Sequence, residues 1–198
     1  MSPRTARWVI ALCMVALIGS LAGIGYLGFT ELRQGHDDQR RVSSVAAGMS
    51  FVPPDGWEAV PQDGDDNLVF GQAALQPTGE DADGMILLGR LDESLFAAAE
   101  SDNGRAACFL ASGMGEFFFP DTGRRVNNET EDVKGRAVSG KSCFYRVEFE
   151  SSASAQAEVY AAVVQDGDQR WWITWLGNST APVDRSAALR LAESIRPL

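Results

Sequence analysis

QRWWITWLG, residues Gln169 to Gly177, places three tryptophans in nine residues. Successive side chains of a β-strand point to opposite faces. With that period of two, Gln169, Trp171, Ile173 and Trp175 share one face, and Arg170, Trp172, Thr174 and Leu176 share the other. After Gln169 the first set is wholly apolar, so it is expected in a core. The second set is mixed, as on a partly solvated face. Tryptophan is strongly buried on average, and Trp171 and Trp175 are read as core residues. Trp172 is open between core and surface; outward, it would make with Arg170 a residue pair of the type enriched at contact hot spots.

Working outward, QAEVYAAVV and the quoted strand flank Asp166-Gly167, a hairpin signal. Before them, AVSGKSCFYRVEFE alternates, with Cys143, Tyr145, Val147 and Phe149 on one face, and RRVNNET reads as its partner strand. Nearer the N-terminus, MILLGRL, NLVFGQAAL and the short pieces at Phe51-Val52 and Trp57 also read as strands. A Pro54-Asp55-Gly56 turn joins the last two, and QPTGEDADG is a loop by composition. Strands joined by such short turns run antiparallel.

Two segments interrupt the strand pattern. DESLFAAAE, Asp92 to Glu100, has the length of two helical turns. Ser101 is then a plausible N-cap for a second helix, with Asp102 in its first turn. Ala106, Phe109, Leu110, Gly113, Met114 and Phe117 recur at three- and four-residue steps and are expected to form its inner face. FPDTG ends it. At the C-terminus Val183, Ala187, Ala188, Leu191, Ala192 and Ile195 make an apolar stripe at helical spacing, with Pro182 in the first turn and Ser179 or Thr180 as cap. The expected fold class is α+β, an antiparallel β-sheet with helices packed on it.

The first residues have another character. From Trp8 to Phe29 there is no charged residue, a run long enough to cross ~30 Å of hydrocarbon as a helix. We read it as one N-terminal transmembrane helix with the N-terminus inside, because Arg4 and Arg7 lie directly against the span. The alternative is a signal segment cleaved near Ala22, where Ser20-Leu21-Ala22 is a small-x-small site. The expected organisation is thus a membrane anchor or signal segment (1–30), a polar juxtamembrane linker (31–48) and an extracytoplasmic domain (49–198).

The formal net charge is −10, and the Lys and Arg residues form no stripe, which disfavours nucleic acid and anionic membrane surfaces as partners. The single histidine, His36, falls in the linker, leaving the domain without a histidine-based triad or a Cys–His dyad. DGDDN, Asp63 to Asn67, lacks the glycine and glutamate at positions six and twelve of a calcium loop, and Glu80 to Gly84 fits no better. No cofactor, metal or catalytic residue is expected. NET at Asn128 and NST at Asn178 match the N-glycosylation tripeptide, a short pattern read here as turn residues. Cys13 lies in the apolar run. Cys108 and Cys143 form an even pair in an exported domain, which points to a disulfide; two buried free thiols are the alternative.

GRLDESLFAAAESDNGRAACFLASGMGEFFFP, VSGKSCFYRVEF, RWWITWLGNSTAPVD and LAESIRPL together resemble the folded core of the mycobacterial alanine- and proline-rich secreted protein, or fibronectin-attachment protein, family. The similarity runs in order over nearly all of residues 51–198. It implies an exported, adhesin-like protein with fibronectin or another extracellular protein as partner, and it places a binding element on Arg170, Trp171, Trp172 and Ile173. The chain departs from the family pattern in lacking the Pro/Ala-rich arms, in its apparent anchor, and in having Trp172 and Thr174 where Phe and an aliphatic residue are usual. FVPPDGW, Phe51 to Trp57, is also similar to openings of PsbP-like sandwiches. The function expected is a non-catalytic, membrane-anchored binding module on the outer side of the cell membrane. A small-molecule or lipid-binding envelope domain, and an envelope protein contacting a neighbouring membrane protein, are the rival readings.

Overall fold

Gly167, with φ 55°, occupies the first central position of a two-residue turn between β8 (Gln156–Asp166) and β9 (Gln169–Asn178). Such a hairpin needs a positive φ there, which glycine adopts at no steric cost. The turn sets the register: Asp166 pairs Gln169, Val164 pairs Trp171 and Ala162 pairs Ile173. The computed structural model describes residues 40–61, 70–79, 83–150 and 156–198. The apolar run 8–29, Cys13, His36, the Asp63–Asn67 loop and most of the Glu80–Gly84 loop lie outside the described residues. Among the described residues no helix is long and apolar enough to cross a membrane.

The hairpin sits in an antiparallel seven-stranded sheet of order β3-β4-β5-β9-β8-β7-β6. The other strands are β3 (Trp57–Ala59), β4 (Ala73–Pro77), β5 (Met85–Arg90), β6 (Gly123–Lys134) and β7 (Ser139–Phe149). A second, three-stranded sheet joins β1 (Val42–Ser44) and β2 (Met49–Phe51) to β10 (Arg196–Pro197). One expected sheet is therefore two. The small sheet pairs segments from opposite ends of the domain, which no local pattern announces. β1 also falls within the stretch expected to be linker.

Two helices cover the large sheet. α1 (Asn103–Phe118) lies over one face and α2 (Arg185–Glu193) over the other. The N-cap of α1 is Asp102, one residue later than expected, because its carboxylate reaches the N–H of Arg105 at 2.8 Å. α2 is capped by Asp184, not Ser179 or Thr180, through the N–H of Ala187 at 2.9 Å. Asn178 instead accepts from Thr180 and Ala181 in the preceding turn. Asp92 to Glu100 forms no helix. Its backbone bonds run over three residues only, Leu95 to Asp92, Ala98 to Leu95 and Glu100 to Ala97, since two turns are too short to repay helix nucleation.

The rotation of α1 also differs from the expected inner face. Ala106, Ala107, Leu110, Ala111, Met114 and Gly115 point inward, while Phe109 and Phe117 are exposed. Small residues decide this. A side chain at Gly115 would collide with the Tyr145 ring and hydroxyl, so the glycine and alanine row lets the helix approach the sheet closely. The Tyr145 hydroxyl donates to the Ala111 carbonyl at 2.8 Å.

Residues 160, 162, 164, 171, 173 and 175 pack with β2 and α2 in one core, and residues 159, 161, 163, 172 and 176 pack with α1 in another. Across β7 and β8, Arg146 sits opposite Glu158, which is 3% exposed. Its carboxylate accepts from the Arg146 guanidinium at 2.6 and 2.9 Å and from the Val183 N–H at 2.9 Å. The buried charge is thus paired and hydrogen-bonded, the condition for tolerating one, and it ties the lead into α2 to the sheet.

Burial raises the Tyr145 hydroxyl from the usual 10.0 to about 12, and burial raises Tyr160 further. An unfolded tyrosine ionises near pH 10. The neutral folded hydroxyls therefore stabilise the domain fully below that pH, and the advantage is lost as pH rises from 10 through 12. Guanidinium unfolding at pH 8, 10 and 11 should show falling midpoints, with a shallower fall in Tyr145→Phe. Equal midpoints at all three values would contradict the burial of these rings.

Candidate functional site

The stretch Arg170 to Ile173 lies mid-sheet in β9, between β5 and β8. Trp171 is buried against β2 and α2, and its Nε1 donates to the Ala47 carbonyl at 3.0 Å. Ile173 is fully buried beside it. Trp172 does point to the opposite face, as alternation requires, but it is 1% exposed. That decides the open reading of Trp172 for the core: α1 covers that face, and the indole packs beneath it. Three of the four residues placed in a binding element are core.

Arg170 alone reaches the surface. Its Nε donates to Asn103 Oδ1 at 3.1 Å and its Nη1 to the Glu100 carbonyl at 2.8 Å. These bonds clamp the N-terminal approach of α1 onto β9. Burial pulls the guanidinium pKa down, while the carboxylates of Glu100 and Asp102 oppose the shift. Asn103 in turn donates to Gln165 Oε1 at 2.8 Å.

Asn103 and Gln165 form one wall of an open depression of about 560 Å³. Ser101 and Asp102 continue that wall, and Asp132 and Lys134 of β6 with Ser139 and Lys141 of β7 form the other. The chain's two lysines, Lys134 and Lys141, thus meet at one place. Asp132 lies between them, paired with Lys141 and, at 3.2 Å, with Lys134. The hydrogen bond from Lys141 is the main cause holding the Asp132 carboxyl below its usual range, and the same bond raises Lys141. This surface offers ammonium, carboxylate, amide and hydroxyl groups to a polar partner. Among the described residues no group of three His, Cys, Asp or Glu side chains could hold a metal.

Asn103, Gln165 and the lysine pair escaped the sequence reading. They are brought together by the end of the β6–β7 hairpin meeting the start of α1, and no spacing in the chain marks that meeting. Cys108 of α1 and Cys143 of β7, singled out from sequence, are adjacent: their Sγ atoms are 2.12 Å apart in a bonded pair, with Cα atoms 5.0 Å apart.

Comparison with known proteins places these features in a family. The fibronectin-attachment protein (FAP) domain matches residues 41–198. The alanine and proline-rich secreted protein Apa of Mycobacterium tuberculosis (strain CDC 1551 / Oshkosh) is 37% identical over 178 residues, covering 80% of this chain and 54% of that protein. Apa of Mycobacterium leprae (strain TN) is 38% identical over 176 residues, covering 79% and 60%. Apa of Mycobacterium avium is 36% identical over 163 residues, covering 74% and 42%. The chain thus spans about half the length of the curated relatives it matches. Among solved structures, the solution structure of cyanobacterial PsbP (CyanoP) from Synechocystis sp. PCC 6803 has a TM-score of 0.49 and 13% identity, covering 80% of this chain and 91% of that one. With its folded domain matched throughout and relatives well above 30% identity, this chain belongs to the fibronectin-attachment protein family.

Proposed function

We propose that the domain acts outside the cytoplasm as a non-catalytic, adhesin-like binding module, with fibronectin or another extracellular protein as its partner. The observation that carries this reading is the fibronectin-attachment match over residues 41–198. The word "secreted" in the relatives' names supports release in preference to retention on a membrane anchor. Because Trp171, Trp172 and Ile173 are core, contact falls to the surface beside Arg170, the depression lined by Asn103, Lys134, Lys141 and Gln165. Its groups are polar and mostly exposed, so a partner is recognised there by hydrogen bonds and charge, not by deep apolar burial.

Biolayer interferometry of the full chain on immobilised fibronectin tests the reading. Saturable binding is expected, and reversing both lysines (Lys134→Glu with Lys141→Glu) should weaken it about tenfold or more, mainly through a slower on-rate. The double variant sets carboxylates against Asp132, the cross-strand partner of Lys141, and should melt somewhat below the wild type, so binding is compared at a temperature where both are folded. Failure of the wild-type chain to bind fibronectin would remove that partner. Binding with the lysine variant undiminished would move the contact elsewhere on the domain.

A further inference from the structure

β6 ends the large sheet, and among the described residues no strand pairs its outer side. It has 12 residues, all of them exposed except Val126 and Val133. The opposite edge strand, β3, has only three. An open edge presents a row of unpaired N–H and C=O groups, a template for another strand. Bulges and charges commonly blunt such an edge, so their placement along β6 decides what can pair with it. The bulge lies at the centre of the strand. Its register against β7 shifts between Val126 and Glu129, and Asn127 takes φ 53°, a conformation asparagine adopts more readily than most residues. The extra residue reverses the alternation of faces. Before it, Arg124 and Val126 project to the α2 side, across from Glu148 and Arg146. After it, Glu129, Glu131 and Val133 project to that side: Val133 joins the core under α2, and Glu129 pairs with Arg185 of α2 at 2.8 Å.

A regular strand laid along this edge keeps its side chains in step with only one half of β6. An antiparallel strand with the same central bulge keeps step with both halves, and β6 of a second copy is such a strand. With bulge set against bulge, the two-fold axis falls between Asn127 and Asn128. Arg124 of each copy then lies opposite Glu131 of the other, Arg125 opposite Thr130, and Val126 opposite Glu129. No like charges meet in this register. Glu131 is exposed and makes no ion pair among the described residues. Arg124 holds Glu148 at 2.9 Å and remains 75% exposed, so its guanidinium is free to lie between Glu148 and the incoming Glu131. Opposite charges placed directly across two strands stabilise the pairing. We infer that β6 is a homodimer interface, through which two copies join their seven-stranded sheets edge to edge and antiparallel. Main-chain hydrogen bonds supply the contact, and the isologous geometry repeats the Arg124–Glu131 pair on both sides of the axis. These two side chains project to the α2 side, away from the depression lined by Lys134 and Lys141, so the inference does not rest on fibronectin binding.

Sedimentation velocity of the full chain, from micromolar to submillimolar concentration, tests the inference together with amide exchange across residues 123–134. The weight-average mass should rise with concentration toward twice the chain mass. Exchange in β6 should slow over the same range, because its outward N–H groups find partners only in the dimer. Arg124→Glu should weaken association about tenfold by setting like charges together at both ends of the contact, and Glu131→Arg should do the same. The double variant Arg124→Glu with Glu131→Arg should restore it. Both positions are exposed, and melting curves show that each variant is folded when its mass is measured. A monomer at every concentration would overturn the inference. So would a dimer that leaves β6 exchange unchanged, or a charge swap without rescue. Protection of β6 that appears only when fibronectin is added, with the chain alone a monomer, would remove the second copy and give the edge to a foreign strand.

Discussion

Replacing Trp172 by alanine should destabilise the domain by about 3–5 kcal/mol, as much as the same change at Trp171. The indole is 1% exposed and lies under α1 among Leu87, Ala107, Leu110 and Val163. Two glycines lie close against it. A Cβ on Gly71 would stand 3.3 Å from its ring, and one on Gly89 would stand 3.0 Å from its Nε1. Gly71 has φ 84° as well, a conformation other residues adopt only with strain. A site shaped by backbone on two sides cannot collapse to fill the space an alanine leaves, which puts the cost in the upper part of that range. Guanidinium unfolding of Trp171→Ala, Trp172→Ala and wild type, followed by circular dichroism, measures it. A loss below about 1 kcal/mol for Trp172→Ala, the level of an exposed site, would mean that α1 does not close over β9. The result also governs any binding assay. A Trp172→Ala protein that fails to bind would have lost its fold, so binding loss in that variant must be read against its melting curve.

Removing the Cys108–Cys143 bond should cost about 4 kcal/mol. The cysteines are 35 residues apart in sequence, and closing a loop of that length restricts the unfolded chain by roughly this amount in the chain-entropy account. The bond joins the middle of α1 to β7, next to Tyr145, whose hydroxyl also links helix and sheet. Breaking it should therefore loosen α1 first, seen as faster amide exchange in residues 103–118 than in β8 and β9. Cys108→Ala with Cys143→Ala should lower the unfolding midpoint, and reductant should lower that of the wild type similarly. Alkylation without reductant that adds two groups to native-expressed protein would show free thiols and defeat the prediction. An unchanged midpoint in the double variant would confine the bond to a structural bystander.

The two predictions bear on which surface is free to act. If Trp172 and the disulfide both hold α1 to the sheet, the inner side of the helix is unavailable to partners. What remains on that side of the domain is the outer face of α1, with Phe109 and Phe117 exposed, and the polar depression at its N-terminal end. The two are separate places, and the lysine variant tests the second of them.

The alternation in Gln169 to Gly177 determines, from sequence alone, that Trp171 and Ile173 share one face and Arg170 and Trp172 the other. With Gly167 of the preceding turn it also determines the β8–β9 hairpin. The apolar spacing of residues 183–195 determines a helix near the C-terminus with one face against the core. These features are legible because they rest on periods of two and 3.6 residues, which depend only on local backbone geometry. Whether Trp172 meets water depends on what lies over its face, and that is decided by α1, packed there from another part of the chain. The rotation of α1 depends on how closely Ala107, Ala111 and Gly115 can approach Tyr145 and its neighbours. A hydrophobic count favoured Phe109 and Phe117 as inner residues, whereas close packing favoured the small ones and turned both rings outward. The β2–β10 pairing and the meeting of Lys134 and Lys141 with Asn103 and Gln165 likewise join distant segments. Burial and surface clusters are sums over such non-local contacts, so only the tertiary structure could decide them.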